Sequence, residues 1–199
     1  MTVTTYSIIG AGAIGTALAQ QFSRKSIRVR IANTRGRESL SDLTATLGNN
    51  VEATSTQDAL KADVVILAVP FDRVPDAVRR AAAWDNRIVV DATNAIKFPE
   101  FLPRDLGGRL STEVVSEAVP GARVVKGFNT LPAAVLAQVP DNHGRRVIFL
   151  SGNNSPANAD VAALANALGY APIVLGSLND GKSAQFGGAL MVHDLTSHD

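Results

Sequence analysis

The feature that most constrains the fold is Tyr6-Ser-Ile-Ile-Gly10-Ala11-Gly12-Ala13-Ile14-Gly15-Thr-Ala-Leu-Ala, where a short β-rich apolar run meets three glycines spaced G-x-G-x-x-G and then an amphipathic segment. Ile14, Ala17, Leu18 and Phe22 recur at helical spacing, so the stretch reads as strand, turn, helix. Gly10 allows a tight turn out of the strand, Gly12 lets a pyrophosphate approach the backbone without a Cβ in the way, and Gly15 lets the helix lie close on the sheet. The amides that open the helix have no internal partners, and the helix dipole adds to their attraction for an anion. Gly10, Ala11, Gly12, Ala13, Ile14 and Gly15 therefore form a predicted diphosphate cradle. The alternative is an ordinary glycine-rich turn; the β-rich run before it and the helical period after it favour the dinucleotide.

Ile27 to Ala32 alternates apolar and basic residues and is the second predicted strand, which completes a βαβ unit. Its end selects the cofactor. A site for NAD usually carries Asp or Glu here to hold the ribose 2′-hydroxyl, but this chain reads Asn33-Thr34-Arg35-Gly36-Arg37, with no acid before Glu38. That favours a 2′-phosphate, hence NADP(H): Arg35 can grip or stack, Thr34 can donate a hydroxyl hydrogen bond, and Arg37 adds charge beside Asn33. Arg24, Lys25, Arg28 and Arg30 make this corner the most basic part of the chain. A solvated basic edge strand is the competing reading, but it does not explain an acid lost and an arginine gained at the same place.

Downstream, a helix from about Glu38 to Leu47 should end near Gly48, followed by a strand at Val51 to Ala53 and a brief helix at Gln57 to Leu60. Asp63-Val-Val-Ile-Leu-Ala68-Val69-Pro70 is a continuous apolar run, the pattern of a central parallel strand covered on both faces. Val69, Pro70 and Phe71 then lie at its carboxyl end, where open α/β sheets bind ligands. A helix is expected from Asp72 to Ala83 and a strand from Arg87 to Asp91. Asn94, just past that strand, is a candidate for orienting the nicotinamide half, and Asp91 is read as structural. Ile96 to Gly108 reads as a surface loop and candidate lid, with Ser111 or Thr112 capping a helix that reaches Val119. Strands at Arg123 to Phe128, Arg146 to Leu150 and Ala171 to Leu175 follow, with Thr130 capping a helix after the first and Ser155 to Gly169 a clear helix between the others. The expected fold is α/β: a Rossmann-type, doubly wound, mostly parallel sheet of about eight strands in a single domain over residues 1–199, with a short C-terminal tail at 176–199.

Composition narrows the chemistry. With 19 Lys and Arg against 18 Asp and Glu, the net charge of +1 provides no global field for nucleic acid or an anionic membrane. The absence of cysteine excludes disulfides, thiolate catalysis and Cys-ligated metal, and suits a cytoplasmic setting. The first residues lack a basic n-region, and no apolar run approaches about 18 residues. His143, His193 and His198 show no metal-ligand spacing with a carboxylate, and the serines lack a G-x-S-x-G context. Lys126, the one lysine inside an apolar strand, could act as a general acid but reads better as neutralising a neighbour. A cofactor site with no evident acid or base suits hydride transfer between planar rings, which needs proximity rather than a protein-borne proton.

Gly10-Ala-Gly-Ala-Ile-Gly15, Asn33-Thr-Arg-Gly36, Ala68-Val-Pro70, Asp91-Ala-Thr-Asn94, Val125-Lys-Gly-Phe-Asn-Thr130 and Gln185-Phe-Gly-Gly188 together resemble the NADPH-dependent coenzyme F420 reductase family over nearly the whole chain. The resemblance implies that Thr34 and Arg35 hold the 2′-phosphate, Gly10 to Ile14 the diphosphate, and Pro70, Asn94, Leu131 and Ala133 the nicotinamide side. It further implies a compact homodimer that passes hydride from NADPH to F420 or a flavin, and a fold similar to the cytosolic domain of metalloreductases.

Overall fold

Alternation within the apolar runs decides the layering. The computed structural model describes residues 4–141 and 144–198, so the expectation for His143 lies outside the described residues. In β4 (Val64–Leu67) every residue is buried: Ile66 faces one apolar cluster while Val65 and Leu67 face another. Successive side chains on a strand point to opposite faces, so such a run must be covered on both sides. One cover consists of α1 (Ala13–Arg24), α2 (Ser41–Leu47), α6 (Ala133–Leu136) and α7 (Ser155–Ala167). The other is α3 (Thr56–Ala59), α4 (Val74–Val78) and α5 (Ser111–Ala118). Full burial of each aliphatic side chain, as at Ile8, Val65 and Ile66, contributes about 1.5–3 kcal/mol.

The remaining strands are β1 (Tyr6–Ile9), β2 (Val29–Ala32), β3 (Val51–Ala53), β5 (Ile88–Asp91), β8 (Arg123–Lys126), β9 (Arg145–Ser151), β10 (Ala171–Gly176) and β11 (Thr196–Ser197), with β6 (Ile96–Lys97) and β7 (Leu102–Pro103) forming a separate hairpin. The main sheet runs β10-β9-β8-β5-β4-β1-β2-β3, with β11 beside β9, nine strands in all. From β3 to β8 every pairing is parallel. The strand order reverses between β1 and β4, which opens a crevice at their carboxyl ends. Beyond β8 the direction changes: β9 is antiparallel to β8 and meets it through Lys126 and Ser151, while β10 runs parallel to β9.

Several local expectations shift. The helix expected to reach Ala83 is a 3-10 turn at Phe71–Arg73 followed by α4, which ends at Val78. The loop from Ile96 to Gly108 contains the β6–β7 hairpin. Leu110, not Ser111 or Thr112, is the N-cap of α5, and Pro132, not Thr130, that of α6. In both cases the hydroxyl residues are buried and drawn into the interior. Gln21 of α1 donates to the Leu136 and Gln138 carbonyls at 2.6 and 2.8 Å, and the Tyr170 hydroxyl donates to Leu136 at 2.8 Å, so α6 is fixed against α1. Burial pushes the Tyr170 hydroxyl above its ordinary pKa, which keeps it a neutral donor.

Candidate dinucleotide-binding site

The glycine turn has the geometry its spacing predicts. Gly10 leaves β1 at φ +111°, and its N–H donates to the Ala32 carbonyl at 2.8 Å; a Cβ here would overlap the Ala68 carbonyl. A Cβ on Gly15 would overlap the Gly10 carbonyl, so its absence lets α1 close onto the turn. Gly12 differs, because a Cβ there would meet nothing within 4 Å. It is the N-cap of α1 with no side-chain cap, and the first turn carries no acidic residue. The Thr16 N–H donates to Gly12 at 2.9 Å, so the amides of Ala13, Ile14 and Gly15 precede the first helical hydrogen bond. The result is an uncapped, unobstructed helix start that favours an anion.

A cleft of about 680 Å³ opens over this turn. Gly10, Ala11 and Gly12 line it, with Asn33, Thr34 and Arg35 on one side and Ala68, Val69 and Pro70 on the other. Asn33 shapes the rim: its Oδ1 accepts the Arg35 N–H at 2.9 Å, and its Nδ2 donates to the Ser39 hydroxyl at 3.0 Å. This turn holds Thr34 and Arg35 out at the tip of β2, both exposed. Among the described residues no carboxylate pairs with Arg35 or Arg37, whereas Arg30 lies 3.8 Å from Glu52. Arg37 stands on the 3-10 turn just beyond the rim. Phe71 lies elsewhere than expected: it packs on the α4–α5 side and lines a separate cavity of about 280 Å³.

Asn94, Leu131 and Ala133 lie past β5 and β8, further along the same carboxyl edge. Beneath them is a buried network. Asp91 accepts from the Thr93 N–H at 2.9 Å, the Thr93 hydroxyl at 2.6 Å and the Thr112 hydroxyl at 2.9 Å. Lys126 Nζ lies 3.0 Å from Asp91 and donates to the Thr93 carbonyl at 2.5 Å. With the lysine and aspartate side chains 1% and 0% exposed, the pair is sealed from any ligand and fixes the strand ends. Above it, the Asn94 amide donates to the Asn129 carbonyl at 2.9 Å and accepts from the Asn129 amide at 3.1 Å. Phe128, fully buried at φ +60°, turns the chain so that Asn129 reaches across. A non-glycine residue in that region costs on the order of 1–3 kcal/mol, and its burial against Tyr170, ring centroids 6.0 Å apart, offsets the cost.

A second cavity, about 630 Å³, begins at Ala95 and is lined by the β7 end, the start of α5 and the segment from Asp180 to Gly188. That last segment has no hydrophobic period, so its place as a cavity wall is not legible in the sequence. Neither cavity is lined by histidine, and among the described residues no group of three or more His, Asp or Glu could hold a metal ion.

Residues 5–95 match the family described as NADP oxidoreductase, coenzyme F420-dependent. The matched region takes in the glycine turn, the tip of β2 and Asn94. The chain is 58% identical to the hypothetical protein SMa0349 from Sinorhizobium meliloti, with a TM-score of 0.96 over 98% of this chain and 96% of the other. A candidate F420-dependent NADP-reductase from Arthrobacter sp. FB24 shares the fold at 23% identity and a TM-score of 0.78, covering 98% of this chain and all of its own. Metalloreductase STEAP2 of Mus musculus is 26% identical over 188 residues, 91% of this chain. The chain spans about a third of that relative's length (35%). Among the described residues no helix is long and apolar enough to cross a membrane.

Proposed function

We propose that the chain is an NADPH-dependent oxidoreductase that passes hydride to a flat ring acceptor of the flavin or deazaflavin class. The observation that carries this reading is the placing of two cavities along one sheet edge: a glycine-floored cleft with Arg35 at its rim, and a second cavity that starts at Ala95, next to Asn94. The first fits NADP(H), because Gly12 leaves its floor open and no carboxylate competes for Arg35 among the described residues. Gly10 to Ile14 would hold the diphosphate, and Thr34 and Arg35 the 2′-phosphate. Pro70, Asn94, Leu131 and Ala133 lie on the side toward which the nicotinamide half would extend.

NADPH, when bound, supplies two electrons as hydride. Lys126 is held by Asp91 and sealed from the edge, so it takes no part in the transfer. No protein-borne acid or base is required if reacting atoms are held about 3–3.5 Å apart, with water providing the proton that completes the reduced ring. Stopped-flow mixing of NADPH-loaded protein with FMN, FAD, riboflavin and F420 tests the reading. NADPH oxidation with at least one of them is expected, and no oxidation with any would refute it.

A further inference from the structure

The second cavity holds a polar group in its wall that the cofactor site does not use. Gln185 lines the cavity and is only 9% exposed. Its Oε1 accepts from the Ser111 N–H at 2.9 Å and from the Ser111 hydroxyl at 2.7 Å, at the start of α5. A backbone N–H can only donate, so the carboxamide cannot be turned around: its oxygen is committed to α5 and its nitrogen faces away. That Nε2 is buried and has no partner among the described residues. Buried donors in native proteins are almost always paired, so an unpaired one in a cavity wall calls for an acceptor from outside the chain, whether a water or a ligand atom.

The surroundings limit what that ligand can be. Phe186 and the backbone of Gly187 and Gly188 give the wall a smooth apolar section, with Phe186 edge-on to Phe101 at 6.0 Å between ring centroids. Arg104, Arg109, Lys182 and Asp180 also line the cavity; Arg104 is engaged by Asp72, and Arg109 lies 2.5 Å from Glu117. Two of the three cations are thus already paired, and Asp180 shares the wall with the third, so an anionic tail gains little there.

We infer that Gln185 recognises the hydride acceptor by donating from Nε2 to a ring carbonyl oxygen, so that the site selects a planar heterocycle by its pyrimidinedione edge rather than by a phosphate tail. This rests on the acceptor reading above. Titration of the NADP+-loaded protein with riboflavin, FMN and phenazine, a flat tricycle without carbonyls, followed by ligand absorbance and fluorescence, tests it. Riboflavin and FMN should bind within about threefold of each other, and phenazine at least tenfold more weakly. Gln185→Glu keeps an oxygen for Ser111 but replaces the donor with an acceptor. It should weaken riboflavin binding tenfold or more, with NADPH affinity and phenazine binding unchanged. Equal riboflavin affinity in Gln185→Glu and the unaltered protein, or phenazine bound as tightly as riboflavin, would overturn the inference while leaving the acceptor reading in place. If no flavin binds the unaltered protein, the acceptor reading fails first and the inference falls with it.

Discussion

At the scale of single residues, the two glycines that look alike in the motif do different work, and substitution separates them. Gly15→Ala places a Cβ on the Gly10 carbonyl, so α1 must move off the turn; a loss of several degrees in Tm or failure to fold is expected in thermal denaturation. Gly12→Ala adds a methyl to open space at the helix N-cap. Its stability cost should stay near 1 kcal/mol, while NADPH affinity measured by calorimetry falls at least tenfold, because the methyl occupies the place of the diphosphate. Arg35→Ala removes from the rim a guanidinium that no carboxylate holds among the described residues. NADPH should bind about 10- to 100-fold more weakly and NADH almost unchanged, the range expected for hydrogen bonds to a charged group. These roles were readable from the sequence because they are local: glycine spacing and the residue that ends the second strand are fixed within about 25 positions. The identity of Gln185 as a site residue was not, since its partner Ser111 lies 74 positions away.

Among the elements, strand boundaries were mostly readable and capping was not. Apolar runs between turn residues set β1, β4 and β5 to within a residue or two, whereas Thr112 is taken by Asp91 across the fold and so cannot serve as the cap its position suggests. The Asp91–Lys126 pair ties β5 to β8, and breaking it leaves a buried charge. Lys126→Met should cost about 3–5 kcal/mol in urea denaturation, and the double variant Lys126→Met with Asp91→Asn less than the sum of the two singles. A gentler link joins the start of β1 to β4. The Thr5 N–H and hydroxyl donate to Asp63 Oδ2 at 2.8 and 2.7 Å and hold its carboxyl below its ordinary value of 3.8. Because the folded pKa is the lower one, this contribution is fully present above about pH 4 and is lost as pH falls through the depressed value. Asp63→Asn should therefore be less stable than the parent at pH 7, with the gap narrowing as pH falls below about 4 in parallel melts.

For the whole molecule, a doubly wound, mostly parallel sheet was legible from the βαβ rhythm, but the reversed direction of β9 was not. Strand direction follows from where the connection through α6 returns, and nothing in an apolar run encodes it. The same limit hid the second cavity, whose wall from Asp180 to Gly188 has no period and is held by contacts such as Asn129 to the Ala184 carbonyl at 2.9 Å. Together the reversal point and this wall align two cavities on one edge, and the central claim is that hydride passes directly between rings bound in them. The most direct test uses NADPH deuterated at one C4 position at a time, with a 5-deazaflavin whose C5 retains whatever hydrogen it receives. Mass spectrometry of the reduced product should show one deuterium from one of the two labelled forms and none from the other. NADPH left unoxidised, or a product whose C5 hydrogen comes from solvent, would contradict the account.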